Sequence, residues 1–279
     1  MRPATGADLT DARHAVRLIA GGATMLAGSV LADSGMEHYR GSFSNPAMAL
    51  PLASSGISLL FNGERVREPN SSETVYPRLS HGISLAIGAV GFGFHVYNIL
   101  KREGGPSFTN LFYAAPAGAP AALVLAGMLG GAADRLGHDD MRIGPVGLES
   151  GRVIGGLVSA GIVGTVAEAG LLHFRGAYHN PAMWIPVALP PVAAVSLARD
   201  AIEDKPRGVT TALLGATVAM GIAGVGFHAF GVARNMGGWR NWRQNLLAGP
   251  PIPAPPAFTG LAVAGLGALL LMKRRKRSG

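Results

Sequence analysis

His38-Tyr39-Arg40-Gly41-Ser42-Phe43-Ser44-Asn45-Pro46-Ala47-Met48 returns 135 residues later as His173-Phe174-Arg175-Gly176-Ala177-Tyr178-His179-Asn180-Pro181-Ala182-Met183. The likeness runs on in both directions. Asp33 aligns with Glu168, Gly35 with Gly170 and Pro51 with Pro186. Further along, Gly91-Phe92-Gly93-Phe94-His95 returns as Gly224-Val225-Gly226-Phe227-His228. Gly104 and Gly105 match Gly237 and Gly238, Asn110 matches Asn245, and Pro116 matches Pro251. Chance does not produce a match of this length and order. The chain reads as two tandem copies of one unit, residues 1–140 and 141–279.

Apolar runs fill the sequence around the repeated motif. Residues 15–36, 46–61, 79–100 and 111–134 form four in the first copy. Residues 152–173, 181–198, 208–233 and 253–272 form four in the second. Each is roughly 17–25 residues, enough to cross a hydrocarbon core of about 30 Å. The pattern predicts an all-α integral membrane protein: about eight transmembrane helices in two tandem, parallel four-helix repeats. An even number of spans per copy gives both copies the same orientation, with a pseudo-two-fold axis along the membrane normal. The first span loosely resembles a signal peptide. Its counterpart at 152–173 argues that it is a retained helix.

Composition agrees. Of 279 residues, 48% are hydrophobic and 14% charged, where a soluble domain carries about 25% charged residues. The 41 glycines suit closely packed membrane helices. The net charge of +8 sits in short loops and in the tail Lys273-Arg274-Arg275-Lys276-Arg277, which points to anionic lipid and away from nucleic acid. With the N-terminus inside, 17 Lys and Arg fall on the inner side and 7 on the outer. That bias predicts a multi-pass protein of the cell's inner (plasma) membrane with both termini cytoplasmic. Having no cysteine, the chain makes no disulfide, thiolate metal site or c-type haem attachment.

The polar residues of the motif fall at the outer end of this topology. Asn45 and Asn180 stand where helix caps belong, with Pro46 and Pro181 at the first helical position. Free N–H groups there, together with Arg40 or Arg175, would suit an anionic group. His95 and His228 lie about 6–9 Å below the same surface at 1.5 Å per residue, each four residues after a glycine. Asp33 and Glu168 lie at similar depth. Ionisable residues inside membrane spans are functional suspects by default. Asp33 and His38 are five apart, about 140° around a helix, so sharing a face would require a break at Gly35.

His38, His95, His173 and His228 are the candidate ligands of a haem or transition metal ion, with Asp33 and Glu168 as ligands or proton-handling groups. Against this stands a bland reading, in which imidazoles hydrogen-bond across helix interfaces and Met48 and Met183 merely pack. The leading expectation is a membrane redox or metal-handling protein, for instance the membrane subunit of an electron-transfer complex. The alternatives are a permease for a small anionic or metal solute, and a non-catalytic anchor or assembly factor. The lipid bilayer is the expected partner. Trp239 and Trp242, with Arg240 and Arg243, form an outer belt or the dock for a periplasmic or membrane protein partner. His14, His81, His138 and His179 have no counterpart in the other copy and are set outside the site, and no charged ladder is seen through the inner half. No P-loop, zinc-protease helix or nucleophile elbow appears in a usable context, so the sequence assigns no enzymatic activity.

Overall fold

The computed structural model describes residues 6–70, 75–136 and 149–278. The copy boundary at 140/141, Arg2, His138 and Arg142 lie outside the described residues, as do the side chains of Arg275, Lys276 and Arg277. The first copy contributes α1 (Gly6–Arg40), α2 (Leu50–Arg67), α3 (Val75–Leu100), α4 (Phe108–Phe112) and α5 (Gly118–Leu136). The second contributes α6 (Ser150–Arg175), α7 (Ile185–Glu203), α8 (Gly208–Ala233), α9 (Trp242–Ala248) and α10 (Pro255–Ser278). All these elements are helical. The expected fourth span, 111–134, is interrupted: Pro116 separates α4 from α5, because proline supplies no N–H to a helical ladder.

Among the described residues, six helices are long and apolar enough to cross a membrane: Thr10–Arg40, Val75–Leu100, Ser150–Arg175, Pro181–Glu203, Gly208–Ala233 and Pro255–Arg274. The sequence predicts eight. The two helices that fall short are α2 and α5. Every buried residue of α2 is polar (Ser54, Ser55, Ser58, Asn62 and Arg65), and α5 is 19 residues long and ends in Asp134 and Arg135. The outward faces tell the complementary story. Leu60 of α2 is 71% exposed, and Ile57, Val90, Phe94, Val195, Ile202, Ile222 and Phe230 also face outward. α2 thus buries a polar face and turns apolar side chains outward.

The core gathers around α1 and α10, where Ala15, Ile19, Ala23, Leu26, Leu261, Ala264 and Ala268 are buried. Small residues let the two backbones approach closely. A Cβ added to Gly22 would collide with the Gly260 carbonyl, and one added to Gly267 would lie 3.0 Å from the Ala15 carbonyl. By the 135-residue offset, the matching seam is that between α6 and α5. There Gly22 and Gly260 are replaced by Leu157 and Leu125. These leucines line a cleft of about 2360 Å³ instead of a closed contact. One seam is shut by glycines; the other is propped open by leucines.

Candidate functional site

The repeated motif builds the same turn twice. Asn45 Oδ1 accepts from Ala47 N–H, and Asn180 Oδ1 accepts from Ala182 N–H, each at 2.9 Å. The Asn45 and Asn180 carbonyls accept from Met48 and Met183 N–H. The N–H groups expected to await an anion are therefore engaged by the caps themselves. Just before each cap, two non-glycine residues adopt left-handed backbone: Ser42 and Phe43 at φ 56° and 46°, Ala177 and Tyr178 at φ 54° and 46°. L-residues pay for that conformation, and both copies keep it. The turn sets an aromatic ring edge-on to the motif histidine, Phe43 to His38 and Tyr178 to His173. Met48 and Met183 pack their methyl groups over Gly41 and Gly176, as the packing reading expects.

Each motif histidine is tied down at one nitrogen. His38 Nδ1 donates to the Met48 carbonyl at 2.7 Å, and His173 Nδ1 donates to the Met183 carbonyl at 2.9 Å. His228 Nδ1 donates to the Pro251 carbonyl at 2.6 Å. A carbonyl can only accept, so each Nδ1 carries the hydrogen and each Nε2 keeps a lone pair. This tautomer is the one that a metal-ligating histidine uses. His95 departs from the set: its Nδ1 is buried near the Pro116 carbonyl, yet no hydrogen bond of good geometry forms.

α1 runs unbroken through Gly35, so Asp33 and His38 point apart as the spacing implied. The six residues consequently sort into pairs. His38 lies near His95, His173 near His228, and Asp33 near Glu168 across the two copies. Asp33, Glu168, His173, His228, Arg40, Arg175 and Asn180 all line the open cleft; His38, His95 and Asn45 lie outside its wall. Arg40 is paired with Glu37. Arg175 reaches into the first copy, donating to the Leu111 and Ala114 carbonyls at 3.3 and 3.2 Å with its guanidinium over Phe112. Its Nε is buried without a partner. Among the described residues, no three His, Asp or Glu side chains gather as a metal-ligand group.

A second polar cluster escaped the sequence reading. Arg65 Nε donates to Asp134 Oδ1 at 2.7 Å, and His81 Nε2 pairs with Asp134 Oδ2 at 3.0 Å. All three side chains are 4–5% exposed. This is the charged group that the inner half was expected to lack, and His81 belongs to it. The signal lies where the two copies depart from one another. The second copy places Leu197, Leu214 and Leu269 where the first has Asn62, His81 and Asp134.

Comparison with protein-family models, curated proteins and solved structures finds no match to this chain.

Proposed function

We propose that this chain is a membrane redox or metal-handling protein that holds a haem, or a transition metal ion, in the open seam between α5 and α6. The carrying observation is that His173 and His228 line one cleft, each with Nδ1 donated to a backbone carbonyl and Nε2 left as a lone pair. Neutral imidazoles with a free Nε2 are groups that would hold haem iron, and the pairwise grouping of the histidines favours that over a three-ligand ion site. The cleft exceeds the ~300–1,000 Å³ of ordinary ligand pockets, and its wall is largely apolar, with room for a flat macrocycle. Arg175 supplies positive charge and an unpartnered buried donor for an anionic substituent. Bound there, haem iron would supply one-electron transfer. His38 and His95 repeat the pairing outside the cleft and are the candidate ligands of a second group.

In this reading the chain crosses the inner (plasma) membrane eight times with both termini cytoplasmic, as two parallel four-helix repeats. By the sequence alignment, α2 and α5 are the counterparts of α7 and α10, both of which are long and apolar enough to span. The role is that of a membrane subunit of an electron-transfer complex. The exposed Trp239 and Trp242 and the Arg243–Tyr39 contact offer the surface where a periplasmic or membrane partner would dock.

The test is the visible spectrum and metal content of the detergent-purified chain. A Soret band is expected, and His173→Ala and His228→Ala should each reduce it. A colourless, metal-free preparation would sink the reading. A permease is the second reading, favoured by the buried polar strip on α2.

A further inference from the structure

We infer that the first copy carries a proton-conducting strip along α2, with His81 as its relay. The inference rests on the membrane reading above and is independent of any haem. The strip starts at the Arg65–Asp134 pair, next to the Pro69 carbonyl. It runs through His81, Asn62 and Ser58 to Ser54, whose hydroxyl meets that of Ser84 at 3.1 Å. From Arg65 to Ser54 is about 16 Å along the helix, most of the length of α2.

The chemistry of the middle of the strip is specific. Asp134 is held as an acceptor by Arg65, so His81 Nε2 carries the hydrogen between them and Nδ1 is a bare lone pair. Asn62 Nδ2 donates to the Ser58 carbonyl and hydroxyl at 2.9 and 3.0 Å. Turning the amide over would set its oxygen against that carbonyl, so Oδ1 is fixed on the other side. There it is buried without a partner, as is His81 Nδ1. A Cβ on Gly130 would touch both atoms, so the two acceptors border one small space, with the unpartnered Ser80 hydroxyl also buried on α3. Two lone pairs side by side call for a mobile hydrogen. A proton accepted at His81 Nδ1 is matched by one passed from Nε2 to Asp134 Oδ2; release of that proton restores the carboxylate, and a turn of the imidazole ring returns the hydrogen to the Nε2 side for the next passage.

Packing alone does not explain these residues, because the second copy shows what packing needs. Gly265, the counterpart of Gly130, lies against Leu197 and Leu214. Buried Pro190 and Ala193 replace Ser55 and Ser58. At the Asn62, His81 and Asp134 positions the same architecture closes with leucines, while Asp200 and Thr217 keep polar groups buried at the Arg65 and Ser84 positions; burying polar groups where leucine fits costs free energy. Among the described residues, Asp134 from α5 pairs with His81 and holds Arg65 from α2 on its other oxygen. α1, packed against both helices, brings apolar side chains such as Ile19, Ala23 and Leu26.

The experiment places the full chain in phosphatidylcholine–phosphatidylglycerol liposomes with an entrapped pH-sensitive dye. Valinomycin sets a potassium diffusion potential that draws protons inward. Wild-type chain is expected to acidify the lumen several-fold faster than protein-free liposomes. The triple variant Asn62→Leu, His81→Leu, Asp134→Leu, which installs the second copy's residues, should lose that flux. Asn62→Leu alone keeps both pairs of Asp134 and should also lose most of it; it is the variant to use should the triple fail to elute as a monodisperse helical protein. Gly156→Ala should keep the wild-type rate. Protease protection reports separately whether the chain spans the bilayer. Wild-type flux equal to that of empty liposomes, or full flux in Asn62→Leu, overturns the inference.

Discussion

The carboxylate of Glu168 rests on Gly118, so the second copy touches the first at the head of α5, where a Cβ would fall on the carboxylate itself. Gly118→Ala is expected to destabilise the chain by about 1–3 kcal/mol, the usual cost of overpacking. Adding Glu168→Ala should recover most of it. Denaturant unfolding of the two single variants and the double variant in detergent checks the coupling; additive losses would mean the contact carries no energy.

Gly22→Ala tests the closed seam. The new methyl group meets the Gly260 carbonyl and the Ala264 side chain, and a loss of about 1–3 kcal/mol should follow. Gly156 faces open space, so Gly156→Ala should gain up to about 1 kcal/mol from helix propensity alone. Opposite signs for two glycine-to-alanine changes, read as shifts in the unfolding midpoint, are the expected result.

Breaking the buried ion pair should be severe. Arg65→Met leaves Asp134 buried with only His81 as a partner, and about 3–5 kcal/mol of stability should go with it. Combining Arg65→Met with Asp134→Leu removes both charges and should restore most of the loss. A double variant no better than the single would show that the charges act separately.

The left-handed turns offer a change in the stabilising direction. Ser42→Gly and Ala177→Gly place glycine at φ 56° and 54° and should each gain about 1 kcal/mol. Tyr178→Gly should not, since it also removes the stacking of Tyr178 on Trp184 at 4.0 Å. Thermal melts of the three variants separate strain from stacking.

The duplicated motif made the helical architecture and the Asn caps legible beforehand; that each copy sets its motif histidine near its own Gly-x-Gly-Phe-His histidine was not. Periodicity and span length located eight long helices, yet overstated the apolarity of α2, because serine and asparagine on one face were averaged with leucine and isoleucine on the other. Which residues share a volume was not legible. Helix spacing already turned Asp33 and His38 apart, but it could not say that Asp33 lies near Glu168 of the other copy. The Arg65–Asp134–His81 cluster joins three helices, and no spacing along one chain segment announces such a meeting. Reading the two copies against each other for differences would have flagged it.

The unequal seams bear on what the molecule can hold. A dimer of identical four-helix units would offer two equivalent grooves related by its axis, and a ligand would meet either with equal preference. Here Gly22 and Gly260 erase one groove while Leu125 and Leu157 keep the other ajar. A guest in the remaining groove meets different walls on its two sides, acidic and cationic groups from both copies but only the second copy's imidazoles. A guest held there, as proposed, would therefore settle in a single orientation.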